Sequence, residues 1–140
     1  MAKGLETIIR LNEWNVDQKR RKLGEILNLI AGFEAEAQKL EEDLKKEQAI
    51  AAASPGEAGF AYGNFAERVI DRRAIIQMSI QQLELDAAAA REDVSEAYRE
   101  LKKYEKALEA RKKREEKELA RKEQLELDEV AMQSFVQKRA

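Results

Sequence analysis

Apolar residues recur every seven positions along most of the chain. In the first arm one core row reads Ile9, Val16, Leu23, Ile30, Ala37, Leu44 and Ala51. Its companion reads Leu5, Asn12, Lys19, Ile26, Phe33, Leu40 and Glu47. The second arm carries rows of its own: Ala66, Arg73, Ile80, Ala87, Val94, Leu101 and Leu108, beside Tyr62, Val69, Ile76, Leu83, Ala90, Ala97 and Tyr104. A sustained period of seven predicts helices wound into a left-handed supercoil. The remaining faces are mostly charged, and Glu41–Lys45, Glu42–Lys46 and Glu118–Lys122 stand in the favourable i,i+4 order. Asn12, Lys19, Glu47 and Arg73 interrupt the seam, as residues that fix register at a cost in stability do.

One break divides the pattern. The single Pro and three of the six Gly lie between Ser54 and Asn64 (Pro55, Gly56, Gly59, Gly63). Folding the chain there, with paired residue numbers adding to 113, satisfies the layers: Leu5 meets Leu108, Ile9 meets Tyr104, Leu23 meets Ala90, Phe33 meets Ile80, Leu44 meets Val69 and Ala51 meets Tyr62. Large residues tend to face small ones, which close packing favours. The centre of that register falls at Pro55-Gly56, so turn chemistry and seam register agree. The expected fold is all-α: two long helices in an antiparallel coiled-coil hairpin, the second longer and overhanging. Residues 1–140 form a single unit, with helix one over about 3–52, a turn over about 53–63, helix two over about 64–137 and an overhang over about 112–140. The free chain is expected to be a monomer, not a parallel dimer of straight rods. Ser54-Pro55-Gly56-Glu57 offers a capping box with Pro in the first helical position, and Asn64-Phe65-Ala66-Glu67 offers a second start clear of Gly59 and Gly63. The second is preferred for continuous helix.

Composition narrows the chemistry. The 140 residues hold 26 Lys plus Arg and 28 Asp plus Glu, no His and no Cys. Disulfides, thiolate nucleophiles, His-based acid–base catalysis and the usual zinc sites are excluded. The net charge of −2 gives no global pull toward nucleic acid or an anionic membrane. Residues 99 to 122 hold eleven basic and six acidic side chains, too mixed for a phosphate track. Apolar runs are too short to span a bilayer, and Met1-Ala2-Lys3-Gly4 does not open a secretory signal. No Gly-rich phosphate loop occurs, and carboxylates on a two-helix surface have no pocket to desolvate them. The chain is expected to carry no catalytic residues, cofactor or metal, and to work in the cytoplasm.

Three places depart from a plain coiled coil. Phe60, Tyr62 and Phe65 crowd the turn; Tyr62 suits the closing layer of the core, while Phe60 and Phe65 are divided between core and contact. Ile8, Leu11 and Trp14 are apolar yet lie off the seam, and a flank Trp often marks a contact. Beyond the charge run Arg111–Glu118, the overhang turns apolar at Leu125, Leu127, Val130, Met132, Phe135 and Val136. The expectation is a molecule that binds partners at its two ends, with a middle covered by mixed charge.

The opening Gly4-Leu5-Glu6-Thr7, Val16-Asp17 and Leu23-Gly24-Glu25, the aromatic turn leading into Phe65, and the closing Asp128-Glu129-Val130-Ala131-Met132-Gln133 resemble the FliJ proteins of the bacterial flagellar export apparatus. The resemblance covers the full length. It implies a stalk shaped like the central stalk of rotary ATPases, with the open end directed into the hexameric export ATPase ring. It further implies contact between the turn end and the membrane-embedded export gate, binding of export chaperones, and a peripheral location at the flagellar base. Of the family's gate-contacting positions the chain keeps Leu40 and Phe65, with Val69 similar, and has Glu36, Asp43 and Glu47 nearby. Leu40, Phe60, Phe65 and Val69 form the expected gate surface; Ile8, Leu11, Trp14, Leu127, Val130, Met132 and Phe135 form the expected ATPase surface. The competing readings are a generic structural coiled coil and the equivalent stalk of a virulence-type secretion system.

Overall fold

A computed structural model describes residues 2–53 and 56–139, with the side chains of Ala2, Glu57 and Ala58 excepted. Two helices account for the described chain: α1, Ala2–Ala53, and α2, Glu57–Arg139. They pack antiparallel, and α2 is the longer at 83 residues against 52. Ala, Glu, Lys, Arg, Leu and Gln supply most of both helices, so intrinsic propensity and seam packing act in the same direction.

The chain divides into two compact units, Met1–Val16 with Ala97–Ala140 and Asp17–Glu96. In the first, Ile9, Val16, Ala97 and Leu101 form a buried cluster, with Tyr104 and Leu108 packed against it. In the second, Val69, Ile76, Ala87 and Ala90 are buried. Every one of these residues occupies a seam position of the seven-residue repeat. Small Ala side chains at three of the buried positions, Ala87, Ala90 and Ala97, let the helix backbones approach closely. Among the described residues no polar side chain is buried. The seam irregularities follow from this. The Asn12 amide donates to the Ile8 carbonyl at 2.8 Å, while Glu47 and Arg73 stay exposed at seam positions.

The start of α2 differs from the expected Asn64. Regular helix opens at Glu57, seven residues earlier, and runs through Gly59 and Gly63. Each glycine weakens a helix by about 1 kcal/mol relative to Ala, but Tyr62, Phe65 and Ala66 are half-buried and Val69 is fully buried. Packing along the seam therefore carries the helix back to the turn. Gly56 has φ +123°, a conformation that side chains disfavour, and its carbonyl accepts the Phe60 N–H at 3.1 Å, the first bond of the new helix. The capping box proposed for Ser54 and Pro55 lies outside the described residues.

Past Arg111 the residues from 112 to 139 are exposed and helical to Arg139. The helix is held there by local pairs: Lys113–Glu109 at 3.3 Å, Arg111–Glu115 at 3.7 Å and Arg121–Glu118 at 2.6 Å. Glu118 thus pairs with Arg121, one residue short of the expected Lys122, and that guanidinium draws its carboxyl below the ordinary range. Lys138 and Arg139 close α2 with positive charge at the negative end of the helix dipole.

Candidate partner interface

At the turn end, Leu40 from α1 and Phe65, Arg68, Val69 and Arg72 from α2 line an open groove of about 300 Å³. Leu40 and Phe65 are half-buried, so each offers part of its surface from a fixed position. Val69 is buried at a seam position and presents little surface of its own. Phe60 is 78% exposed and stands apart from the groove lining. Three of the four expected turn-end residues are therefore brought together and the fourth is not.

One wall of this groove is electrostatically fixed. Arg72 forks onto Glu36, Nε to Oε1 at 2.8 Å and Nη2 to Oε2 at 3.0 Å. The bidentate geometry joins α1 to α2 and holds the guanidinium plane beside the groove. The hydrogen bond from Arg72 depresses the Glu36 carboxyl and raises the guanidinium in return. In the sequence Glu36 stands near the expected gate positions, but its partner is hidden there, because ion pairs between arms lie off the seam rows.

In the unit holding the chain ends, Ile8, Leu11 and Trp14 are exposed along α1. Leu127, Val130, Met132 and Phe135 are exposed on α2. The structure does not bring these two sets together. Leu127 lies about 22 Å along the helix from Lys112, past the point where α1 has ended. Phe135 carries the Arg139 guanidinium over its ring at 4.9 Å. The same unit holds grooves that the sequence did not single out. One, of about 460 Å³, has Ile9 and Leu108 as an apolar floor and Glu13, Glu105, Glu109 and Lys112 among its walls. Another, of about 610 Å³, runs past Leu5, Ala107, Arg111, Arg114 and Glu115. Their signal in the sequence is the change at seam positions from Leu108 to Arg111 and Glu115, where the partner row ends.

The middle is not uniformly charged, contrary to expectation. Ile70, Ile75, Met78 and Leu85 are exposed along α2. Among the described residues no cluster of acidic side chains is arranged to hold a metal, and no helix is long and apolar enough to cross a membrane.

Comparison with known proteins gives a consistent result. A family profile described as "Flagellar FliJ protein" matches residues 1–140. Proteins described as "Flagellar FliJ protein" from two strains of Caulobacter vibrioides, NA1000 / CB15N and ATCC 19089 / CIP 103742 / CB 15, are each 29% identical over 132 residues, covering 94% of either chain. No solved structure matches.

Proposed function

The chain belongs to the FliJ family of flagellar proteins, and on that premise we propose that it is a non-enzymatic stalk and adaptor of the flagellar protein export machinery. It couples the export ATPase hexamer to the export gate and binds export chaperones. The family description is flagellar, which favours this reading over a virulence-type stalk and over a generic scaffold. The observation that carries it is the unpaired end of α2. Residues 112 to 139 are exposed and helical, and they place Leu127, Val130, Met132 and Phe135 beyond any cover from α1. A lone helix in water is marginal, so an apolar end on such an arm suits insertion into a cavity of another protein. A ring of subunits with a central opening provides one.

The turn end is the counterpart. Leu40 and Phe65 flank a groove whose wall is the Glu36–Arg72 pair, and this suits a gate contact with an apolar anchor and a polar rim. The protein then works at the base of the flagellum on the cytoplasmic side. Pull-down of the whole chain with the cognate export ATPase, followed by a hydrolysis assay on the complex, tests the proposal. Retention of the chain and faster hydrolysis are expected; absence of both overturns it.

A further inference from the structure

The outward side of α2 between residues 74 and 89 is poor in charge. Charged residues make up 39% of the chain, yet these 16 positions hold only Glu84 and Asp86. The seam of this stretch is occupied by Ile76, Ile80, Leu83 and Ala87, which are buried or half-buried. On the opposite side of the helix, at the same seven-residue period, lie Met78 and Leu85 in one row and Ile75, Gln82 and Ala89 in the next. Ala74, Gln81 and Ala88 form a third. Ile75, Met78 and Leu85 are 53, 72 and 67% exposed. No charged side chain stands in the three rows between 74 and 89. The result is a stripe about 24 Å long with the spacing a coiled-coil seam requires and no helix upon it.

The ends of the stripe are acidic on balance. Glu67, Arg68 and Asp71 precede it and Glu92 and Glu96 follow it in the same rows, while Asp86 and Asp93 run along one side. Residues 67 to 96 hold seven carboxylates and four arginines. Arg72 is committed to Glu36, Arg73 occupies a seam position, and Arg68 and Arg91 are exposed, so the stretch keeps three more carboxylates than arginines. The border therefore favours a positively charged occupant. It also disfavours a second copy of this chain. Antiparallel pairing that sets Met78 against Leu85 and Ile75 against Ala88 would also set Asp71 against Glu92 and Glu67 against Glu96. Parallel pairing in register would set each carboxylate against itself.

We propose that this face of α2 docks a third helix supplied by another protein, of about 16 residues, with a narrow apolar seam and a Lys/Arg border. The site lies on the far side of α2 from the seam. Its size places it among small, exchangeable contacts.

Fluorescence anisotropy with two synthetic peptides of about 18 residues tests this on the full chain. Both carry Leu and Ile at i, i+3, i+4 and i+7; one is bordered by Lys and Arg, the other by Glu. The basic peptide is expected to bind, to weaken with added salt, and to lose at least about tenfold in affinity with Leu85→Lys or Met78→Lys. Circular dichroism should show both variants folded, since both positions are exposed. Equal binding of the two peptides, binding of neither, or insensitivity to both substitutions overturns the proposal. A self-dimer dispersed by Leu85→Lys in sedimentation also overturns it, in favour of a second copy.

Discussion

Replacing Ile76 and its neighbour Ile75 by Ala, one at a time, separates the two faces of α2 with the side-chain chemistry held constant. Ile76 is 2% exposed and packs at the seam, whereas Ile75 is 53% exposed on the outward side. Ile→Ala removes three carbons, and at about 0.8 kcal/mol for each buried methylene the transfer contribution is about 2.4 kcal/mol at position 76. A cavity contribution adds to this. It is limited here, because the neighbouring groove past Ala37, Ile76 and Ile80 is open to water and spares a closed void. The expected loss is about 2.5–3.5 kcal/mol for Ile76→Ala, a large fraction of the roughly 5–15 kcal/mol that folded domains possess. For Ile75→Ala about half the area is already in water, and Ala gains about 0.4 kcal/mol in helix propensity. The expected cost is below about 1 kcal/mol. Urea unfolding followed by far-UV circular dichroism measures both, with unchanged m-values confirming that only stability has moved. Equal costs at the two positions, or a larger cost at Ile75, would mean that α2 is rotated from the seam described here, and the outward stripe would no longer exist.

Three further outcomes are expected. Cysteines replacing Ile30 and Leu83, both half-buried seam residues whose numbers add to 113, should cross-link within one chain, and light scattering of the free protein should give a mass near 16.0 kDa; cross-links formed only between chains would contradict the hairpin. Phe65→Ala should weaken binding to the export gate by about tenfold or more with helicity unchanged, and unchanged affinity would remove Phe65 from that surface. Glu36 has its carboxyl depressed by the Arg72 hydrogen bond, so the pair's stabilisation is full above the unfolded carboxyl's pKa and disappears as pH falls through the lower, folded value; Glu36→Gln should therefore be less stable than the natural chain at neutral pH, and the gap should close in acid and shrink with salt. A gap that persists in acid would assign the loss to something other than the ion pair.

The seam was legible in the sequence because burial between two helices imposes a period that no other force on the chain produces. Ile9, Val16, Val69, Ile76, Ala87, Ala90, Ala97 and Leu101, the buried apolar residues, all stand in the predicted rows. The beginning of α2 was not legible. Gly59 and Gly63 read locally as helix breakers, and only the packing of Tyr62, Phe65 and Val69 against α1 outweighs them. The Glu36–Arg72 pair was hidden for a related reason: its members are 36 residues apart and lie beside the seam, where periodicity is silent. Phe60 and Phe65, alike as exposed-aromatic candidates, are separated by which side of the helix faces Leu40. The outward stripe is written in the sequence as a local drop in charge, but Ile75, Met78 and Leu85 belong to neither seam row, so the period that marks the core does not mark them.

The proposed stalk rests most heavily on the free end of α2. Removing residues 125 to 140 deletes Leu125, Leu127, Val130, Met132, Phe135 and Val136, all exposed, and touches none of the buried seam. Titration of the export ATPase hexamer with the full and shortened chains, with circular dichroism on each, is the direct measurement. The shortened chain should keep its helicity per residue and its unfolding midpoint, while most binding and any stimulation of hydrolysis are lost. Full stimulation by a folded, shortened chain would contradict the account and move the contact to the Ile8, Leu11 and Trp14 face of α1.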